Sequence, residues 1–353
     1  MAFRAFFLFP FEENETMKSR QCNYVLAPIA GYTDLPFRRA CRKFGLFYAH
    51  TALIDSGALV YGNPDNRHIL ARGDEEQWLA VQLLGCIPEH LKIAAGMLND
   101  MPFDAVDFNM GCPVRKIQQR GAGVELMRHR EQALDCVRLV RNIIKGPFTV
   151  KMRILDSVDP EPTVKLAQDL EQIGIDGLTI HGRLASKVYS GPVAVEVIRA
   201  VRETLHIPVT ANGGIFNRGD AEWLAEQTGC SSLMVARGAI GNPWIFRELI
   251  QGDDTPPTHR EIMEEMQEHV GGMVEMYGEP QGMVLARKII LGYVCGRGYP
   301  RALRANVGQI ATWGQFMDFC RQLDAATATE PSIPPGINQS QKAEMNLSRQ
   351  AMS

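Results

Sequence analysis

Residues 148–183 read FTVKMRILDSVDPEPTVKLAQDLEQIGIDGLTIHGR. An apolar run from Phe148 to Ile154 meets a polar loop, an amphipathic stretch from Thr163 to Gly174, and a second apolar run from Gly177. Near-continuous apolar runs joined by a helical pattern are strands buried on both faces and lying parallel. The same unit recurs in both directions. Runs begin at Val25 (VLAPIA), Tyr48 (YAHTAL), Leu79 (LAVQLLG) and Ala105 (AVDFNMG) on one side, and at Pro208 (PVTANGG) and Ser232 (SLMVARG) on the other. The helical patterns between them include LPFRRACRKFG, EHLKIAAGML, EQALDCVRLVRNII, AVEVIRAVRETL and AEWLAEQTG. Eight such units over about 220 residues fit a closed barrel better than an open sheet. The expected fold is therefore α/β, a (β/α)8 TIM barrel spanning residues 23–252.

Beyond Asp253–Pro257 the pattern is helical only: Thr258 to Tyr277, Gln281 to Cys295, Arg301 to Ile310 and Trp313 to Leu323. This predicts a small helical domain over 257–324. The polar stretch 325–353, poor in large apolar residues, reads as a disordered tail. The opening MAFRAFFLFPFEENET carries Pro10, Glu12 and Glu13 where a signal peptide would have a small-residue cleavage site. Residues 1–22 are expected to be a flexible extension, in which Met17 is an alternative start to Met1.

Composition narrows the classes. Hydrophobic residues at 45% and charged residues at 22% are those of an ordinary globular protein. No apolar run approaches the roughly 20 residues that cross a bilayer, which argues against a membrane partner. The net charge of −3 supplies no overall basic field, so a nucleic-acid partner would need a local basic face. Eight scattered cysteines without a C-x-x-C pair argue against a metal site and for reduced thiols in the cytoplasm.

The polar residues Gln82, Asn109, Lys151, Arg153, His181, Asn212 and Arg237 all fall late in an apolar run or just after it. In a barrel those ends ring one mouth, where active sites are built. Asn212-Gly213-Gly214 and Ala236-Arg237-Gly238 close the last two strands, a common place for phosphate. Lys151 could form a Schiff base, bind an anion, pair with a carboxylate, or face the electron-rich edge of a heterocycle such as a flavin. Cys112 sits between Gly111 and Pro113 at the active end. A thiol of ordinary pKa, about 8.5, is mostly protonated at neutral pH and can act as a general acid. Cys41, Cys136, Cys230 and Cys320, on helical patterns, read as buried packing residues.

Seven motifs follow one another along the chain: APIAGYTDLPFR at Ala27, VQLLG at Val81, DFNMGCPVRKI at Asp107 and VKMR at Val150, then LTIHGR at Leu178, ANGGI at Ala211 and ARGAIGNPWIF at Ala236. Together, from about Val25 to Leu323, they resemble the tRNA-dihydrouridine synthase family, most like its bacterial DusB and DusC type. The resemblance implies FMN as cofactor. Pro28, Ile29 and Ala30 would lie against the flavin, Gln82 and Lys151 on its ring edge, and His181 nearby. Asn212, Gly213, Gly214, Ala236 and Arg237 would hold the phosphate end. It further implies NADPH or NADH as reductant, a monomer, and tRNA as substrate. In that reading hydride goes to C6 of uracil, Cys112 protonates C5 as the catalytic acid, and Asn109, Arg153, Arg287 and Lys288 bind substrate.

Two basic clusters could carry RNA: Arg115, Lys116, Arg120, Arg128 and Arg130 after the thiol loop, and Arg287, Lys288, Arg297, Arg301 and Arg304 among the C-terminal helices. The chain departs from the family pattern at Ile289 (histidine expected), Ala52 (glutamate), Leu184, Lys187 and Gly214 (aspartate). A small-molecule flavin reductase of the dihydroorotate or dihydropyrimidine dehydrogenase kind is the main alternative; it would not need the basic helices. A Lys151 Schiff-base aldolase and a catalytically silent RNA-binding barrel are the others.

Overall fold

The structure, a computed structural model, describes residues 22–327. The expected N-terminal extension, the alternative start at Met17 and the tail beyond 327 lie outside the described residues. Eight parallel strands close on themselves in sequence order. They are β1 (Asn23–Leu26), β2 (Tyr48–Asp55), β3 (Trp78–Leu84), β4 (Ala105–Met110), β5 (Phe148–Arg153), β6 (Gly177–His181), β7 (Val209–Asn212) and β8 (Ser232–Val235). Closure is made by β1 pairing with β8, Asn23 opposite Ser232 and Leu26 opposite Val235. Each amphipathic stretch read from the sequence forms a helix, among them Pro88–Asn99, Arg130–Ile143, Glu161–Ile173 and Val195–Thr204.

The first run was expected to extend to Ala30, but the strand ends at Leu26. Pro28 has no N–H for a ladder, and Ile29 instead opens a turn, its carbonyl accepting from Tyr32 N and Thr33 N. At the other end of the chain, the last helix runs from Trp313 to Thr327, so the first residues of the expected tail are helical. Alanines at 325 and 326 are strong helix formers.

Side chains alternate across each strand, one set packing outward on the helices and one filling the barrel. On β5, Phe148, Val150 and Met152 are fully buried. The other set, Thr149, Lys151 and Arg153, stands in register with Asp107 and Asn109 on one side and Gly177, Thr179 and His181 on the other. The barrel interior is thus polar from its middle to its C-terminal mouth. β2 carries an irregularity between His50 and Leu53, where Thr51 turns its hydroxyl to the Ala52 carbonyl and accepts from Gln82 N. The departure from the family pattern at Ala52 falls on this bulge.

The described residues divide into two compact units that do not follow the expected boundary near 252–257. The first holds all eight strands (through 28, 47–215 and 219–236); the second takes residues 29–46, 216–218 and those from 237 onward. The helix Leu35–Arg42 therefore belongs with the C-terminal helices, packing on the helix His259–Tyr277. Asp34 caps the former by accepting from Phe37 N, and Tyr277 donates to the same carboxylate at 3.1 Å. A capping box of Thr258 and Glu261 starts the latter. The helix Glu279–Val294 packs beside it, and backbone meets backbone where Gly241 approaches Gly292. Phe37, Cys41, Met266, Val270 and Tyr293 form the core of this unit.

Candidate active site

The thiol loop is shaped by the strand that delivers it. Asn109, near the end of β4, accepts two backbone hydrogen bonds with one carbonyl oxygen, from Gly111 N and Cys112 N, both at 3.0 Å. The far side of the loop is clamped by Gly123. Val124 N donates to the Cys112 carbonyl at 3.1 Å, and a Cβ on Gly123 would lie 2.5 Å from that oxygen. Gly123 also has φ +63°, which favours glycine. Sequence reading missed Gly123, although the glycine-rich Gly121-Ala122-Gly123 was a visible signal. Gly123→Ala is expected to destabilise the protein by about 1–3 kcal/mol, and to lower turnover by moving Cys112. A denaturant titration beside an activity assay checks this, and full retention of both would show the clamp to be idle.

Burial pushes the Cys112 thiol above its ordinary range, outweighing the Val114 N–H and the Arg153 and Lys151 charges, which lower it. The thiol therefore stays protonated through neutral pH. Lys151, half-buried, is lowered to about 8, chiefly by desolvation and then by Arg153. Its ammonium donates to Asn212 Oδ1 at 3.1 Å, and no carboxylate of the described residues lies within 4.0 Å of it. Asn212 is fixed in turn by donating to the Met234 carbonyl at 2.8 Å. Gly213 (φ +130°) and Gly214 (φ +79°) follow at once, and a Cβ on Gly213 would press to 3.2 Å on the His181 ring. His181 is buried at the end of β6, opposite Asn212.

Arg153 is 4% exposed and is spent on backbone. It donates to the carbonyls of Gly111 (2.9 Å), Arg183 (3.3 Å), Leu184 (3.4 Å) and Val188 (2.8 Å), with its guanidinium 6.0 Å from the Tyr189 ring centroid. It ties the thiol loop to the loop after β6, where Val188 holds φ +50°, an outlying value for a β-branched residue. Gln82, 0% exposed, donates to Asp107 and accepts from Asn109. A cavity of about 70 Å³ lies at the opposite end of the barrel, its lining including Tyr48, Trp78, Gly177 and Ser232, the first residues of their strands. The reactive groups are not there; thiol and lysine gather at the mouth where TIM barrels do chemistry.

Pro28 is half-buried in the first unit. In the second, Ile29 is half-buried, Ala30 is exposed, and Arg237 lies over Phe216 at 5.5 Å. Ala236 ends the last barrel segment. The two basic clusters are thinner than their sequences suggest. Arg287 donates to the Ile310 carbonyl at 2.8 Å, and Lys288 sits 4.3 Å from the Tyr32 ring centroid, its pKa lowered by burial. Arg297 donates to the Gly241 carbonyl and Asn242 and covers Trp244. Arg120, Arg128 and Arg130 are ion-paired with Asp55, Glu125 and Glu131. Arg115, Lys116 and Arg301 are exposed. Among the described residues no group of His, Cys, Asp and Glu could hold a metal ion, and no helix is long and apolar enough to cross a membrane.

Fold and site together define a TIM-barrel protein with a protonated thiol and a lone desolvated lysine at its mouth. The family model described as dihydrouridine synthase (Dus) matches residues 25–329. The chain is 34% identical over 275 residues to the tRNA-dihydrouridine synthase B of Proteus vulgaris, covering 76% of this chain and 85% of that one. To the tRNA-dihydrouridine synthase B of Pseudomonas aeruginosa it is 33% identical, covering 81% and 88%. Among solved structures, a 2-naphthoyl-CoA reductase bound to 2-naphthoyl-CoA superposes with a TM-score of 0.50 at 10% identity, covering 65% of this chain and 50% of that one; this shows the fold alone. The chain belongs to the dihydrouridine synthase family.

Proposed function

We propose that Cys112 is the acid of an FMN-dependent reduction of tRNA uridine to dihydrouridine. The observation that carries the assignment is a thiol kept protonated by burial, on a loop that β4 and Gly123 hold at the barrel mouth. The reaction class rests on the family: the chain is an enzyme of the flavin-dependent tRNA uridine reduction type. The small-molecule alternative is not favoured, because the family match includes the C-terminal helices as well as the barrel.

The residues present fit a flavin. An ammonium desolvated by its surroundings, with only a neutral amide oxygen as partner, favours an electron-rich acceptor. Gly213 and Gly214 leave the backbone after β7 without side chains, as close approach of a phosphate requires. Lys151 and Gln82 would hold the ring edge, Pro28 would lie against the ring, and Asn212, Gly213, Gly214 and Ala236 would hold the phosphate end. When bound, reduced FMN supplies the hydride for C6 of uracil, with NADPH or NADH as reductant. Cys112 holds the proton at Sγ and delivers it to C5, which completes saturation of the 5,6 bond. The target base must leave its stack to reach the mouth.

The deciding assay incubates the purified protein, FMN and NADPH with RNA from a strain lacking its own dihydrouridine synthases. Nucleoside mass spectrometry should find dihydrouridine; its absence with a flavin-loaded protein would overturn the reading. Lys151 supplies a second check. Its ammonium is present below pH about 8 and lost above it, so FMN affinity should fall as pH rises through that value. A drop of roughly tenfold between pH 7 and 9.5 corresponds to one charge-assisted hydrogen bond. Fluorescence titration of FMN into the apoprotein measures it, and Lys151→Met should flatten the profile. An unchanged profile in that variant would remove Lys151 from the ring edge.

A further inference from the structure

We propose that Asp107 is a positioning residue that sets the Cys112 loop through a hydrogen-bond chain of forced polarity. Asp107 lies on β4 with 0% exposure. Its Oδ1 accepts from Thr149 Oγ1 and its Oδ2 from Gln82 Nε2, both at 2.6 Å. Gln82 Oε1 accepts from Asn109 Nδ2 at 2.8 Å, and Asn109 Oδ1 accepts from Gly111 N and Cys112 N.

The order of these bonds is dictated by one group. A carboxylate can only accept, whereas a side-chain amide can present either its oxygen or its NH2. Asp107 therefore forces the NH2 of Gln82 toward itself and the oxygen of Gln82 toward Asn109. That oxygen then draws the NH2 of Asn109, which leaves the Asn109 oxygen for the two loop N–H groups. Neutral residues in place of Asp107 would leave both amides free to turn over. A turned Asn109 would aim NH2 at backbone N–H groups and release the loop. Fully buried groups leave no water to repair such a mismatch, so the effect should be concentrated at Cys112. One hydrogen of the Asn109 NH2 is uncommitted, so Asn109 can hold the loop and still touch a base.

The consequence for turnover rests on Cys112 being the acid, but the chain itself is testable without turnover. The protein as purified is alkylated with iodoacetamide at about pH 7.5 and each cysteine is followed by peptide mass spectrometry. Releasing the loop relieves the burial that raises the thiol, so Cys112 should react roughly tenfold faster in D107L, and in N109D, where the Gln82 oxygen meets a carboxylate and drives residue 109 and its loop from their place. D107N keeps the volume while removing the forced polarity and the charge, and should give an increase of about threefold. The double variant D107N/N109D reverses the chain with the same atoms and the same charge. Gln82 then accepts from position 107 and donates to position 109, so the Cys112 rate should return to within about threefold of the parent. N109D and the double variant share the carboxylate beside the thiol, so its own effect cancels in their comparison.

In the loaded enzyme, D107N should lower kcat. A parent-like Cys112 rate in D107N, or a double variant no better than N109D, would overturn the proposal. So would parallel acceleration at the buried Cys136 and Cys230, which would show a loosened fold instead of a released loop. If Cys112→Ala kept full turnover while these rates behaved as expected, the acid assignment would fail and the positioning role would stand.

Discussion

Replacing Cys112 by alanine should lower dihydrouridine formation by about 10²–10⁴-fold, the span that a positioned general acid contributes. FMN binding should be untouched, because the proposed function gives that role to Lys151 and the glycines after β7. Cys112→Ser should fall between parent and alanine, since a hydroxyl keeps the geometry but is a far weaker acid. The parent's pH profile carries the same logic. A general acid works in its protonated form, and burial raises this thiol, so its contribution persists through neutral pH and fades only as pH climbs past the raised value. Lys151, at about 8, loses its charge first. Single-turnover assays with pre-reduced flavin isolate the step, and an alanine variant at the parent rate would require another proton source.

Gly241→Ala should be the most damaging single-methyl change in the second unit. The added Cβ would lie 2.0 Å from the Gly292 carbonyl carbon and 2.3 Å from Tyr293 N, and these are backbone atoms of the helix Glu279–Val294. No rotamer change relieves such a contact; the loop and the helix must separate. Gly241 also sits at φ +64°, so the substitution adds left-handed strain. Overpacking and backbone strain together predict a loss of about 3 kcal/mol or more. Arg297 donates to the Gly241 carbonyl and would lose that bond as well. Gly292→Ala should cost less, because its Cβ would stand 3.1 Å from the nearest atoms. Denaturant midpoints of the two variants check the order, and equal midpoints would show the contact to be more yielding than its geometry implies.

The barrel was legible because burial on both faces writes itself as runs of apolar residues, and all eight runs became strands. The mouth was legible for a related reason. Polar residues late in such runs have no other place in a barrel, and Gln82, Asn109, Lys151, His181 and Asn212 are all there. The partners were not legible. Arg153 looked like a substrate contact because arginine usually serves charge, yet its carbonyl partners lie 30 to 42 residues away. Arg297 looked like a phosphate ligand, but its acceptors lie 55 and 56 residues away. Asp107 was hidden by its surroundings, since a lone aspartate inside AVDFNM was read as part of an apolar run. An acid in such a run is in fact the signal of a satisfied interior network. Cys230 was assigned to a helix, whereas it is buried two residues beyond the helix that ends at Thr228.

The internal use of so many arginines sets how this protein can grip an RNA. Of the ten cations in the two basic clusters, Arg115, Lys116 and Arg301 are exposed and outside the ion pairs and carbonyl contacts described above. Each phosphate neutralised releases condensed counterions, and log affinity falls by about 0.7–0.9 per contact for each tenfold rise in salt. Three contacts would give a slope of only about −2 to −3. Recognition would then survive ionic strengths that strip a basic-faced binder from nucleic acid. Discrimination would come from the contour of a folded RNA and the ease of extruding one base, with long-range attraction in a minor part.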